Sequence, residues 1–82
     1  MKNIKVISNN DGYEGLYVDN ELVAEGNPLN EGTERIIYFL QLSKTYETPL
    51  ENFVFSEMDC DEFPMNLKGE TKWVIKDTIT FV

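Results

Sequence analysis

The residue types of this chain restrict its chemistry to carboxylates, hydroxyls and one thiol. Fifteen Asp and Glu residues stand against seven Lys and Arg, and histidine is absent. Without histidine the commonest general base, the usual nucleophilic triads and most zinc sites are unavailable. Asp59, Asp61 and Glu70 fall at the first, third and twelfth positions of a calcium-loop spacing. The rest of that pattern fails. Phe63 stands where an oxygen ligand is needed, and Pro64 where the sharp turn needs glycine. The stretch therefore reads as a solvated acidic loop, and no metal is expected. Cys60 is the single cysteine, and Glu57, Asp59, Asp61 and Glu62 crowd it. Negative neighbours disfavour the thiolate, so Cys60 is a poor nucleophile. No P-loop, dinucleotide-binding glycine motif or paired-cysteine motif occurs. The expectation is a protein that is not an enzyme and carries no cofactor.

Binding is the remaining possibility, and charge limits the partner. A net charge of -8 opposes direct contact with nucleic acid or an anionic membrane, both of which attract positive charge. It suits a basic protein partner, a cation, or solubility alone. Tyrosines accompany the acids, and tyrosine serves interfaces with an apolar ring and a polar tip. The candidate protein-binding residues are Tyr13, Glu14, Tyr17, Asp19, Glu57, Asp59, Asp61 and Glu62. The plainer account of the same residues is that strand tyrosines cover a sheet and the acids are solvated. Trp73, Ile75, Ile79 and Phe81 share one strand parity and read as core. Lys72 and Lys76 are too few to make a basic groove for stacked bases.

The elements that would position these residues read as one α+β domain over 1–82. The expected fold is a mainly antiparallel sheet of four or five strands with one helix packed on a face. The first strand runs from Lys2 to Ser8, with Ile4 and Val6 facing one way and Lys5 and Ile7 the other. Asn9-Asn10-Asp11-Gly12 is a turn signal. Strands near Tyr13–Val18 and Glu21–Glu25 form a hairpin through Asp19-Asn20. Its register would set Val18 against Glu21, Tyr17 against Leu22 and Leu16 against Val23. Leu16, Val18 and Val23 would then form the core face. Asn30 is the expected helix cap, with Glu31 and Glu34 at the positive end of the dipole. The helix would run to about Tyr46 and stop at Thr48-Pro49. Its inward stripe would be Ile36, Phe39, Leu40 and Ser43, with Ile37 beside it. Ile36–Leu40 is also short enough to be a strand. A fourth strand, Asn52–Met58, carries Phe53 and Phe55 on one face. A last strand spans Thr71–Val82, with Asp77 marking a bulge or bend.

Thirteen acids and only Arg35 and Lys44 lie between residues 9 and 62. With the first and last strands as neighbours, these acids would form one broad negative surface. The chain starts without the apolar segment of a signal peptide. It has no run near the roughly 20 apolar residues that cross a bilayer. One cysteine cannot make an internal disulfide, so a reducing, cytoplasmic setting is expected. An open edge strand would offer a route to a homodimer.

The segment Tyr13-Glu14-Gly15-Leu16-Tyr17-Val18-Asp19-Asn20-Glu21-Leu22-Val23-Ala24-Glu25-Gly26 resembles a motif of small uncharacterised bacteriophage and prophage proteins. Those proteins share an aromatic-Glu-Gly-Leu-Tyr-Val-Asp-Gly hairpin, a Leu-Val strand and an acid-Gly ending. Here Asn20 replaces the hairpin glycine, and Asn27 stands where a histidine often follows. The resemblance covers about a fifth of the chain and implies phage origin and a host cytoplasm. It favours a non-enzymatic accessory protein that binds a host protein through an acidic, tyrosine-bearing surface, blocking a nucleic-acid-binding site there. Two alternatives remain: a small-ligand or nucleotide-binding module with a pocket between helix and sheet, and a structural or assembly protein.

Overall fold

Alternating apolar residues in the first strand place it at the centre of a sheet covered on both faces. The structure is a computed structural model that describes residues 1–68 and, as backbone, the strand at 73–77. Strand β1 is Ile4–Ser8, β2 Glu14–Val18, β3 Glu21–Gly26, β4 Val54–Met58 and β5 Trp73–Asp77. The helix α1 spans Gly32–Tyr46, and a 3₁₀ turn at Leu50–Asn52 leads into β4. The strand order is β3-β2-β1-β4-β5. All neighbours are antiparallel except β1 and β4, which run parallel. The domain is thus α+β, with a mainly antiparallel sheet and one helix packed against it.

The first and last strands are not neighbours, contrary to the expectation. β2 and β4 occupy the two hydrogen-bonding edges of β1. β5 pairs on the far edge of β4 instead. Opposite Phe55 and Ser56, the β5 partners are Asp77 and Ile75, so Lys76 is the extra residue of a register shift. The irregularity expected at Asp77 therefore sits beside it. The side chains of Trp73 and Ile75, and all of Ile79 and Phe81, lie outside the described residues.

The hairpin turn is as expected, but its strands are not regular. Asp19 and Asn20 both take positive φ, 51° and 69°, the requirement of a two-residue type I′ turn. Val18 faces Glu21 and Tyr17 faces Leu22. Leu16 then faces Ala24 rather than Val23. Val23 is the extra residue of a bulge and is half exposed. The bulge exchanges two residues between faces: Ala24 joins Leu16 against the core, while Val23 leaves it. Gly26 closes the strand where a Cβ would come within 2.7 Å of the Pro28 carbonyl oxygen, so only glycine fits.

One face of the sheet packs on α1. Ile4, Val6, Leu16, Phe39 and Phe53 form its buried core, with Ala24, Leu29, Tyr38, Leu42, Tyr46, Leu50 and Phe55 around them. Phe39 meets both Phe53 and Phe55 edge to face, at 6.2 and 5.7 Å between ring centroids. These rings pack between helix and sheet.

The helix meets the sheet through a different stripe from the expected one. Arg35, Tyr38, Phe39, Leu42 and Tyr46 turn inward, whereas Ile36, Ile37 and Leu40 are about half exposed. Two constraints set this rotation. At the start, Arg35 makes a bidentate pair with Glu14 of β2, at 2.6 and 2.8 Å. Its guanidinium also lies 4.8 Å from the Phe39 ring centroid. At the end, the buried Thr48 hydroxyl donates to the Lys2 carbonyl and accepts from the Lys2 N–H. Asn30 is not the cap. Glu31 holds that position without a side-chain bond, and the Asn30 carbonyl accepts from Arg35 instead. Glu47, in the left-handed conformation, ends the helix, and its N–H donates to Ser43 O.

Candidate protein-binding surface

β1 ends at Ser8, whose register partners are Glu14 on β2 and Glu57 on β4. The turn after β1 and the segment after β4 therefore leave the sheet side by side. Asn9 organises the turn: its Oδ1 accepts from the N–H groups of Asp11 and Tyr13, at 2.9 and 3.0 Å. Its Nδ2 donates to the Cys60 carbonyl, and Asn10 Nδ2 donates to Asp59 Oδ1. These bonds tie two loops into one polar rim. Asp11, Tyr13, Glu57, Asp59, Asp61 and Glu62 are exposed there.

The rim is anchored by the chain that follows it. Residues 59–68 run as a strap over the sheet face opposite the helix. Phe63 and Leu67 join Ile7, Tyr17 and Met58 in a second buried cluster, flanked by Leu22 and Cys60. The Phe63 ring lies over Gly15, where a Cβ would sit only 3.1 Å from it. The strap also pairs with the backbone of the hairpin. Leu22 N–H donates to Met65 O, Leu67 N–H donates to Asn20 O, and Asn66 bridges to Glu21. Asp59, Asp61 and Glu62 thus stand on a segment that Phe63 and Leu67 fix to the core.

Three of the sequence-derived binding residues do not belong to this rim surface. Tyr17 is fully buried, and its hydroxyl donates to Pro64 O at 2.7 Å. It cannot meet a partner, because it is the floor under the strap. Glu14 is at the right end but is engaged by Arg35, and its Oε1 also accepts the Leu29 N–H. Asp19 lies at the opposite end of the sheet, about 17 Å away along five strand residues. There its carboxylate accepts the Asn3 N–H at 2.8 Å and pairs with Lys2 at 3.3 Å. The Asn3 bond first, and Lys2 second, hold its pKa below the ordinary aspartate value. Tyr13, Glu57, Asp59, Asp61 and Glu62 are the five that come together.

The candidate acids are accordingly split between two ends of the sheet, with Asp19 apart from the rim. Asp19 and Glu51 share the second end with Lys2. They line an open depression of about 490 Å³ together with Met1, Asn3, Asn52 and Val54. Among the described residues no three His, Cys, Asp or Glu side chains converge as a metal site. No helix among them is long and apolar enough to cross a membrane. The other tyrosines are structural: Tyr38 and Tyr46 pack on the helix-side core. Burial chiefly, with Tyr46 adding to it, raises the Tyr38 phenol pKa. The sequence reading missed Asn9, Asn10 and Asp11 as parts of the rim. Their signal was present as a turn motif, but nothing in it named the loop on which the turn docks.

No family model matches the chain, and no curated protein or solved structure matches it either.

Proposed function

We propose that the chain is a non-enzymatic, phage-like accessory protein that binds a basic host protein. Binding runs through the acidic rim at the end of β1. The observation that carries this reading is the joining of the two loops through Asn9–Cys60 and Asn10–Asp59. The half-exposed Tyr13 and the exposed Asp11, Glu57, Asp59, Asp61 and Glu62 are carried at this same end of the sheet. An aromatic anchor within a field of one charge sign is a combination that suits recognition of arginine and lysine. A basic surface that binds nucleic acid is the partner of best complementary charge, so occupation of the rim would block it.

The test begins with capture of a partner from host lysate and proceeds to kinetics with that partner purified. Charge reversal of Glu57, Asp61 and Glu62 to lysine is expected to slow association at low salt and to abolish its salt dependence. Asp59 is spared because it holds Asn10. Tyr13→Ala is expected to speed dissociation instead, as an anchor loss does. Association rates equal for wild type and the charge variant at both salts would reduce the rim to a solvated surface.

A further inference from the structure

The turn after β1 contains the pair Asp11-Gly12. It is the one place in the sequence where Asp or Asn precedes glycine. An aspartate can cyclise onto the amide nitrogen of the residue that follows it, and a side chain on that residue hinders the ring. The other aspartates precede Asn20, Cys60, Glu62 and Thr78. Gly12 is exposed, and a Cβ built on it would meet only Asn27 Oδ1, at 3.7 Å. Asp11 is exposed as well, and among the described residues no hydrogen bond or ion pair holds its carboxylate. Asp19, by contrast, is held by Asn3 and Lys2, and Asp59 by Asn10. We propose that Asp11-Gly12 is a site of spontaneous isoaspartate formation, and that the product unties the two loops of the rim. This concerns the fold of the rim and holds whether or not a partner binds there.

The reaction needs only water. The Gly12 amide nitrogen gives up its proton and bonds to the side-chain carboxyl carbon of Asp11, and one oxygen of that carboxyl leaves as water. Water then opens the resulting imide ring at either carbonyl. Opening at the main-chain carbonyl breaks its bond to the Gly12 nitrogen, and the chain thereafter runs through the side-chain carbons of residue 11. Opening at the other carbonyl restores aspartate. In the folded turn, ring closure breaks the bond from Gly12 N–H to Asn9 O, which closes the β-turn. At 3.3 Å that bond is the longest in the turn. The fold therefore slows ring closure and does not prevent it. The product keeps its mass and its negative charge but has one more main-chain carbon before Gly12. Asn9 Oδ1 accepts from both Asp11 N–H and Tyr13 N–H, at 2.9 and 3.0 Å. It cannot keep both once the chain between them lengthens. The Asn9 side chain then loses the orientation in which its Nδ2 donates to the Cys60 carbonyl.

The full chain, isotope-labelled, is incubated for weeks at neutral pH and physiological temperature. Electron-transfer fragmentation of the tryptic segment Val6–Arg35 then locates isoaspartate, and the unchanged mass separates it from hydrolysis of Asn9 or Asn10. A free peptide of residues 7–16 serves as the reference. Residue 11 is expected to convert, more slowly than in the peptide, while Asp19, Asp59 and Asp61 do not. In the converted fraction the amide signals of the Asn9 side chain and of Asp61 N–H, which follows the Cys60 carbonyl, are expected to move, and those of α1 to stay. Asp11→Glu, which would need a larger ring that closes far more slowly, is expected to abolish conversion with the fold unchanged. Asn9→Ala is expected to raise the rate towards that of the peptide. A folded chain without isoaspartate at residue 11 after the peptide has converted overturns the site. So does equal conversion at the other aspartates. Converted chain in which the Asn9 and Asp61 signals stand still overturns the untying of the rim.

Discussion

The two faces of the sheet are sealed by different means. On one, a fifteen-residue helix lays Phe39 against Phe53 and Phe55. On the other, an irregular strap inserts Phe63 and Leu67 and borrows backbone bonds from the hairpin. A helix satisfies its own backbone groups and needs only a face to bury. A strap must find partners for its backbone elsewhere, here on the outer edge of β3 and at Asn20. The helix side should therefore resist local perturbation, while the strap depends on a few contacts acting together. The candidate rim begins on the strap, so a perturbation of the strap reaches the rim as well.

The largest expected effect falls on the helix side. Phe53 is fully buried at the joint of β4, the 3₁₀ turn and α1. Phe53→Ala should cost about 3–5 kcal/mol, read by urea denaturation, with loss of the whole cooperative transition at modest temperature. Phe63→Ala should cost less, about 3 kcal/mol, because this ring, 9% exposed, closes the edge of its cluster. The difference in kind matters more than that in size. Hydrogen exchange should accelerate at Leu22 and Leu67, whose N–H groups bond within the strap joint, with α1 still protected. Equal loss of protection in α1 would show that the two faces form one cooperative unit, and the contrast would fail.

Tyr17→Phe sharpens the same point. It removes only the hydroxyl that donates to Pro64 O. The expected loss is about 1 kcal/mol, again with exchange rising at the strap joint before the helix. A neutral result would mean that the packing of Phe63 and Leu67 and the backbone bonds to the hairpin hold the strap without this hydroxyl.

The smallest effect concerns the far end of the sheet, where Asp19→Asn keeps a residue that tolerates positive φ but removes the charge facing Lys2 and Asn3 N–H. The Asp19 pKa is lowered in the folded chain. Its ionised form therefore stabilises the fold above the unfolded-state value, and that contribution disappears as pH falls through the folded-state value. Wild type should melt slightly above the variant at neutral pH, and the two should converge at acid pH. A gap that persists in acid would assign the difference to the turn, not to the charge.

How far the molecule was legible follows the range of the interactions. Period-two alternation in Ile4–Ser8 and the Asp19-Asn20 turn act between residues close in sequence, so both were readable and both are present. The helix was readable as a helix. Its inward side was not, because apolar residues occupy two sides and hydrophobic pattern alone cannot rank them. Arg35, which looked like one of two stray bases among acids, decides the rotation by finding Glu14 across 21 residues. Likewise Leu16 and Val23 looked like partners until the bulge intervened. The rim was half readable: Asp59, Asp61 and Glu62 announce a polar loop, and Phe63 looked only like a defect in a calcium pattern.

The chain by itself determined its α+β class, its central strand, its type I′ hairpin and its strongly acidic charge. Each follows from local conformational preference or from composition, which need no knowledge of distant neighbours. Only the tertiary structure decided the strand order, the side of α1 that is buried, the burial of Tyr17 and the assembly of the rim. Each of these depends on which groups meet across forty or more residues, as Asn9 meets Cys60 and Thr48 meets Lys2, or on a choice between two sides that the sequence makes equally apolar. Such choices are settled by the joint satisfaction of buried polar groups and packed rings, and no single segment carries that information.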